Sequence, residues 1–355
     1  PDISKEIYEI LNIRDGFRNE LLTSTINERV TFLQHHTRNR MVSHTEAGIY
    51  DNGIIHDQKL IITFKIPIAG IFPTEKEALE IKQLRTKSEA NIQSIGALPI
   101  PLNANSYKRI MGTLLNWSEH SSWQGENDDW DKDKALSDQL LDFDTQIEVE
   151  KDKLVLGDYH VKVLSAKKMP DRMYFGDALA YIGDLAGTNS SVKENYFICM
   201  NVFYPDHESE KNKLERKRQF TVNQAYGPLL KFVPVLADKK HSFDVLYYSL
   251  KEGSRPVKVT YTMVIFAPTA ERAEEAATKA KNIWRESRFE LMEDKFVCLP
   301  IFLNHLPFCT DRDALLDLYR YKTMSSEQAA PILPLFGEWK GTGTFHAALI
   351  SRNGQ

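Results

Sequence analysis

Two blocks of alternating apolar runs and helical stretches organise the chain. In the first, "KLIITFKIPI" from Lys59 to Ile68 is apolar on both faces, which predicts a strand ended by Pro67 and Gly70. Directly after it, Thr74-Glu75-Lys76-Glu77 has the spacing of a capping box. The helix it opens places Ile81, Leu84, Ser88, Ile92 and Ile95 on one side and meets a stop at Gly96. Short helices capped by Ser4 and Asp15, a third over Glu28 to Arg40 and a fourth over Asn105 to Leu115 complete this block, residues 1–117.

The second block, residues 145–330, opens with β segments at Thr145 to Glu150, Lys153 to Leu156 and Tyr159 to Ala166, with turns at Lys151-Asp152 and Gly157-Asp158. A helix near Tyr174 to Gly183 is followed by the strand "ENYFICMNVFYPD", a charged helix from Asp206 to about Asn223, and another from about Ser242 to Leu250. In "VKVTYTMVIFAP" one face carries Val257, Val259, Tyr261, Met263 and Ile265, a core pattern, while Lys258, Thr260 and Thr262 occupy the other. Thr269 then caps a helix running through Ala273, Ala276, Ala277, Ala280, Ile283 and Trp284. Between the blocks, residues 118–144 contain "SEHSSWQGENDDWDKD", acidic and aperiodic, which reads as an exposed linker or long loop.

A β run ended by proline and followed by a capped amphipathic helix recurs at Pro67–Thr74, Pro205–Asp206 and Pro268–Thr269. That recurrence predicts an α+β fold: mixed or antiparallel sheets with flanking helices, in ferredoxin-like, split βαβ subdomains. Residues 331–355 are expected to form an extended connector.

Composition narrows the function classes. With 355 residues, 42% apolar and 26% charged, the chain is ordinary globular material for two domains. The net charge of −4 argues against a dedicated nucleic-acid binder. Cys199, Cys298 and Cys309 are odd in number and form no C-x-x-C, which fits free thiols in a reducing compartment. No apolar run approaches the ~20 residues of a membrane span. The chain starts at Pro1 without a basic-then-apolar signal, as a segment of a longer protein would.

Candidate chemistry is sparse. Trp339, Lys340, Gly341 and Gly343 suggest a phosphate cradle, but a Walker A loop needs G-x-x-x-x-G-K-[ST], and Phe345 to Ile350 reads as a strand rather than a helix. A β turn is the expected reading. Cys298, His305 and Cys309 form C-x6-H-x3-C across an apolar, proline-broken stretch, the basis for a rival reading as a zinc-dependent hydrolase. A structural histidine beside buried thiols is the better expectation. The adjacent His35 and His36 cannot share a helix face. Glu126, Asp128, Asp129, Asp131 and Asp133 lack the central glycine of a calcium loop. A ferredoxin-like RNA-binding module is a second alternative, although the strand around Tyr261 offers no aromatic platform on its polar face. Neither a catalytic set, a metal nor a cofactor is expected in these residues.

The order of elements resembles the N-terminal half of the TraC-type ATPases of conjugative type IV secretion systems. "GIIHDQKLIITFKIP" is similar to an early strand of that family. "FLNHLPF", followed by "DLYRYKTMSSEQAAPILPLFGEWKGTGT", is similar to its run of a Leu-Pro pair, a Thr-rich stretch, a Pro-Leu segment and a Gly-rich turn. "ISRNGQ" resembles the last residues before its nucleotide-binding domain. The resemblance implies a RecA-like domain beyond Gln355 that holds ATP and Mg, with Trp339, Lys340, Gly341 and Gly343 in the connector to it. It also implies a docking and assembly role for this half, peripheral to the cytoplasmic face of the bacterial inner membrane. Its partners would be inner-membrane subunits of the secretion channel and neighbouring protomers, with no direct nucleic acid contact. Trp123 and Trp130 are the expected interface anchors, because tryptophan is enriched in binding hot spots.

Overall fold

The computed structural model describes residues 42–45, 48–51, 59–94, 99–118, 120–124, 129–174, 192–224 and 235–335, with Glu28, Thr31, Asp177, Ala178 and Tyr181. The expected helices near Ser4, Asp15 and Glu28 to Arg40, and the connector with Trp339, Lys340, Gly341 and Gly343, lie outside these residues apart from Glu28 and Thr31, which are helical.

The centre is a seven-stranded antiparallel sheet. Its longest strand, β7 (Pro256–Ala267), is flanked on one side by β6 (Asn195–Phe203) and on the other by β5 (Tyr159–Lys168) and β9 (Lys322–Ser325). Beyond β5 come β4 (Leu154–Leu156), paired to β3 (Ile147–Val149), and, further along, β8 (Glu290–Glu293). A separate hairpin joins β1 (Val42–Thr45) and β2 (Gly48–Asp51). Because β7 and β8 both run antiparallel to β5, they are parallel to each other. The helix between them, α5 (Ala270–Glu286), completes a split βαβ unit. The α+β expectation holds.

Both faces of the sheet are covered. On one, Val257, Val259, Tyr261, Met263 and Ile265 meet the alanine stripe of α5, whose Ala276, Ala277 and Ala280 let the backbone approach closely. Thr269 caps that helix by accepting from the Arg272 amide. Trp284, Tyr181, Tyr261 and Phe289 form a mutually tilted aromatic group in this layer. On the opposite face, Val161, Val163, Val264 and Phe266 pack against α2 (Ala104–Leu115) and α6 (Cys298–Asn304).

Several elements depart from the sequence reading. Helix α2, expected in the first block, packs Met111 and Leu115 into the sheet's core, so this core begins before residue 118. The acidic segment after it is a long loop folded back on α2. Asn116, almost fully buried, donates from Nδ2 to the Leu140 carbonyl and accepts on Oδ1 from the Asp142 amide and the Thr145 hydroxyl. Gly157, at φ +56° in the β4–β5 turn, sits where an added Cβ would lie 3.0 Å from the Trp117 backbone. Glycine there seats the hairpin against the end of α2. The turn around Pro331 also belongs to the core, since Ile332 is buried and the Tyr181 hydroxyl donates to its carbonyl at 2.9 Å.

The main correction concerns Lys59 to Ile68. This stretch forms no strand. A strand needs a partner edge, and local sequence does not supply one. Its capping box is present, with the Thr74 amide donating to Glu77 Oε2 at 2.8 Å and the Glu77 amide to Thr74 Oγ1 at 3.3 Å. The helix so opened, α1 (Glu75–Ser94), buries none of its residues.

Candidate functional site

Between the sheet and α6 lies a chain of buried polar groups. It begins where β7 turns Thr260 and Thr262 away from the α5 layer. Both are fully buried. His305, at the end of α6, closes over them. Its Nδ1 lies 2.7 Å from the Ile301 carbonyl and so carries the proton, which leaves Nε2 to accept from Thr262 Oγ1 at 3.0 Å and Thr260 Oγ1 at 3.2 Å. Burial pushes the imidazole pKa down to about 4, so it is neutral at physiological pH.

The chain continues on β5. Ser165 Oγ stands 3.4 Å from Thr262 Oγ1 and donates to Asp294 Oδ2 at 2.5 Å. Asp294 is fully buried and pairs with Arg320 Nε at 2.7 Å. Burial pushes its carboxyl above the ordinary carboxylate value, opposed by Ser165 and Arg320. Its carbonyl accepts from the Cys298 thiol at 2.8 Å. Serine, histidine and aspartate thus stand in one network, but in the wrong order for acyl transfer. Ser165 bonds Asp294 rather than His305, and all three are sealed from solvent.

A second buried charge lies on the same strand facing α5. Lys162, only 3% exposed, reaches Glu274 at 2.7 Å, Asp152 at 3.1 Å and Glu293 at 3.4 Å. Glu293 also pairs with Lys281. Burial is the largest single influence and lowers the ammonium pKa, but the carboxylates together outweigh it and raise the pKa above its ordinary value. The group joins β5, α5 and β8.

The zinc reading fails on placement. Cys298 begins α6 and His305 follows it, ~10 Å apart at 1.5 Å per residue. Cys309 is exposed whereas Cys298 and His305 are buried, and burial pushes the Cys298 thiol up to about 11. Among the described residues no three His, Cys, Asp or Glu side chains are grouped to hold a metal ion. An open base-stacking face is likewise missing at β7, because α6 and His305 cover the side carrying Thr260 and Thr262.

Trp123 and Trp130 are both half-buried against α2. The Trp123 ring nitrogen donates to the Asn116 carbonyl at 2.8 Å, and its Cβ lies 3.4 Å from where a side chain on Gly112 would begin. Trp130 donates its amide to Asn105 Oδ1 at 3.0 Å, beside Asp129, which accepts from Asn105 Nδ2 at 2.7 Å. Elsewhere, α3 (His207–Gln224) and α4 (Val235–Lys251) enclose a cleft of about 110 Å³ lined by Leu214, Phe243, Leu246 and Leu250. Arg218 also lines it, 4.3 Å over the Tyr247 ring and paired with Asp244 at 2.9 Å.

Sequence reasoning passed over Lys162, Ser165, Asp294 and Arg320. The available signal was a lysine and a serine inside an otherwise apolar strand, positions where polarity needs a partner. Among the described residues no helix is long and apolar enough to cross a membrane.

A comparison with curated proteins finds no match. A family model described as TraC protein matches residues 1–310. That match covers most of the chain, including six of the seven strands of the central sheet, and the chain belongs to the TraC protein family of conjugative type IV secretion.

Proposed function

We propose that this chain is a non-catalytic docking and assembly half of an ATP-driven conjugative secretion motor involved in pilus assembly and DNA transfer. The observation that carries the reading is the fate of the reactive side chains. Ser165, Asp294 and His305 are spent on internal partners in a buried network, and the buried Lys162 is held by three carboxylates. Such a core holds elements in place and presents surfaces. ATP and Mg would bind in a RecA-like domain following Gln355. Contacts with inner-membrane channel subunits and neighbouring protomers would keep this half at the cytoplasmic face.

Calorimetry with Mg·ATP tests the division of labour. The 355-residue chain is expected to give no binding heat, and micromolar affinity would overturn the proposal. The tryptophans separate docking from folding. Trp123→Ala removes a ring that braces α2 and should lower stability by about 2 kcal/mol in urea unfolding. Trp130→Ala should leave the melting temperature nearly unchanged while weakening co-purification with the membrane channel. Undiminished co-purification would remove Trp130 from the docking surface.

A further inference from the structure

Helices α3 and α4 leave between them a space that their side chains do not fill. The α3 residues along this seam are Lys211, Leu214, Glu215 and Arg218, at i, i+3, i+4 and i+7, with one apolar side chain among four. Helix α4 answers with Phe243, Leu246, Tyr247 and Leu250. Close packing of two helices needs side chains from both to interdigitate. Long charged side chains instead wall a seam with their stems and keep their heads in water. What remains is the cleft of about 110 Å³, and every residue lining it belongs to these two helices.

The cleft has an apolar floor and a cationic end. Leu214 and Leu246, 8% and 6% exposed, form the floor with the half-buried Phe243 and Leu250. Arg218 stands against Asp244. Seven residues back along α3 is Lys211, and seven residues on along α4 is Lys251, so the antiparallel helices bring both lysines to one end. Among the described residues neither Lys211 nor Lys251 has an ion-pair partner. Arg218 is answered by Asp244, which leaves two ammonium groups in the lining against the single carboxylate of Glu215.

We infer that this cleft is a binding site for a small amphipathic anion, a carboxylate or sulfonate carrying one ring or a short alkyl chain. The volume sets the size, since an apolar cavity of roughly 150 Å³ takes up benzene. A bare anion would leave the leucines and Phe243 in water. A neutral hydrocarbon would leave both ammonium groups without a counter-charge. A ligand with both halves uses the whole lining. Its effect reaches beyond the hairpin. Ser249, on α4 between Leu246 and Leu250, donates to Glu327 at 2.8 Å, and Glu210, next to Lys211, pairs with Lys258 of β7 at 3.9 Å. An occupant that ties α3 to α4 therefore tightens the hairpin on β7 and on the segment after β9.

Ligand-observed NMR and calorimetry with phenylpropionate on the 355-residue chain test the inference. One saturable site is expected, with a dissociation constant of about 1 mM or tighter. Phenylpropanol, which lacks the charge, and acetate, which lacks the ring, should each bind weaker by a factor of about ten or more. Replacing both lysines, Lys211→Gln with Lys251→Gln, should weaken the acid about tenfold and leave the alcohol unchanged, a split that loss of the fold would not produce. Leu250→Trp, which fills the cleft, should abolish binding of acid and alcohol alike with the melting temperature retained. The inference is overturned by the absence of saturable acid binding, by equal affinity for acid and alcohol, by an unaltered lysine variant, or by binding that survives Leu250→Trp. Should Leu250→Trp fail to fold, the comparison of acid with alcohol in wild type and lysine variant decides alone.

Discussion

Asp294→Ala is expected to lower the unfolding free energy by about 4 kcal/mol, because it strips the partner from a buried ion pair. The carboxylate has no exposed surface and holds Arg320 at 2.7 Å and Ser165 at 2.5 Å. Its removal leaves Ser165 without an acceptor and a guanidinium, 23% exposed, without its counter-charge. The same residue fixes the passage from β8 to α6, since its amide donates to the Val163 carbonyl and its own carbonyl receives the Cys298 thiol. Asp294→Asn keeps the shape and one acceptor, so it should cost clearly less. Urea midpoints of the two variants measure the difference. Equal losses would show that packing around the position, rather than its charge, matters.

Acid should destabilise the fold through His305. Its folded-state pKa of about 4 lies below the ordinary histidine value of about 6.5. Between these two values the unfolded chain binds a proton that the native chain does not, so stability falls as pH falls through this window. The contribution is complete above about pH 6.5 and lost near pH 4. A separation of about 2.5 units at 1.36 kcal/mol each gives a loss of about 3 kcal/mol. Asp294, with its pKa raised, works in the opposite direction on acidification, so the histidine must be isolated by comparison. His305→Gln removes the titrating group. Urea unfolding of wild type and variant from pH 7 to pH 4 should therefore diverge, with the variant flatter. Parallel slopes would show that His305 is readily protonated within the fold.

Local patterns in the sequence carried the elements whose causes are local. Thr269 and Thr74 announce their helices because a cap and its amide are three residues apart. The β7 face of Val257 to Ile265 shows as alternation within a single strand. What lay hidden depends on residues distant along the chain. Lys162 looks like a surface residue until Glu293, 131 positions later, folds against it. The partnership of Ser165 with Asp294 spans 129 positions. Helix α2 was legible as a helix, but its place on the sheet rests on contacts with β4, β5 and α6. Leu60 to Ile68 shows the converse. Its strand character is plain in the sequence, yet strand formation requires an edge that the sequence cannot specify. His305 was read as structural from its apolar neighbours, while the threonine stripe that holds it was recorded only as the polar face of β7.

The central position of β7 also sets an order of events during synthesis. Both long neighbours, β5 and β6, leave the ribosome before it, and α3 and α4 are made in between. At ~5–20 residues per second, β5 therefore spends several seconds with its main-chain edge open and its core face unclothed. Neither the α5 layer nor the α6 layer can close until β7 arrives, because each packs on side chains that β7 supplies. The nascent chain is thus vulnerable to misassociation over this interval. Its rescue by holding chaperones should end sharply once the ribosome has passed the end of α6.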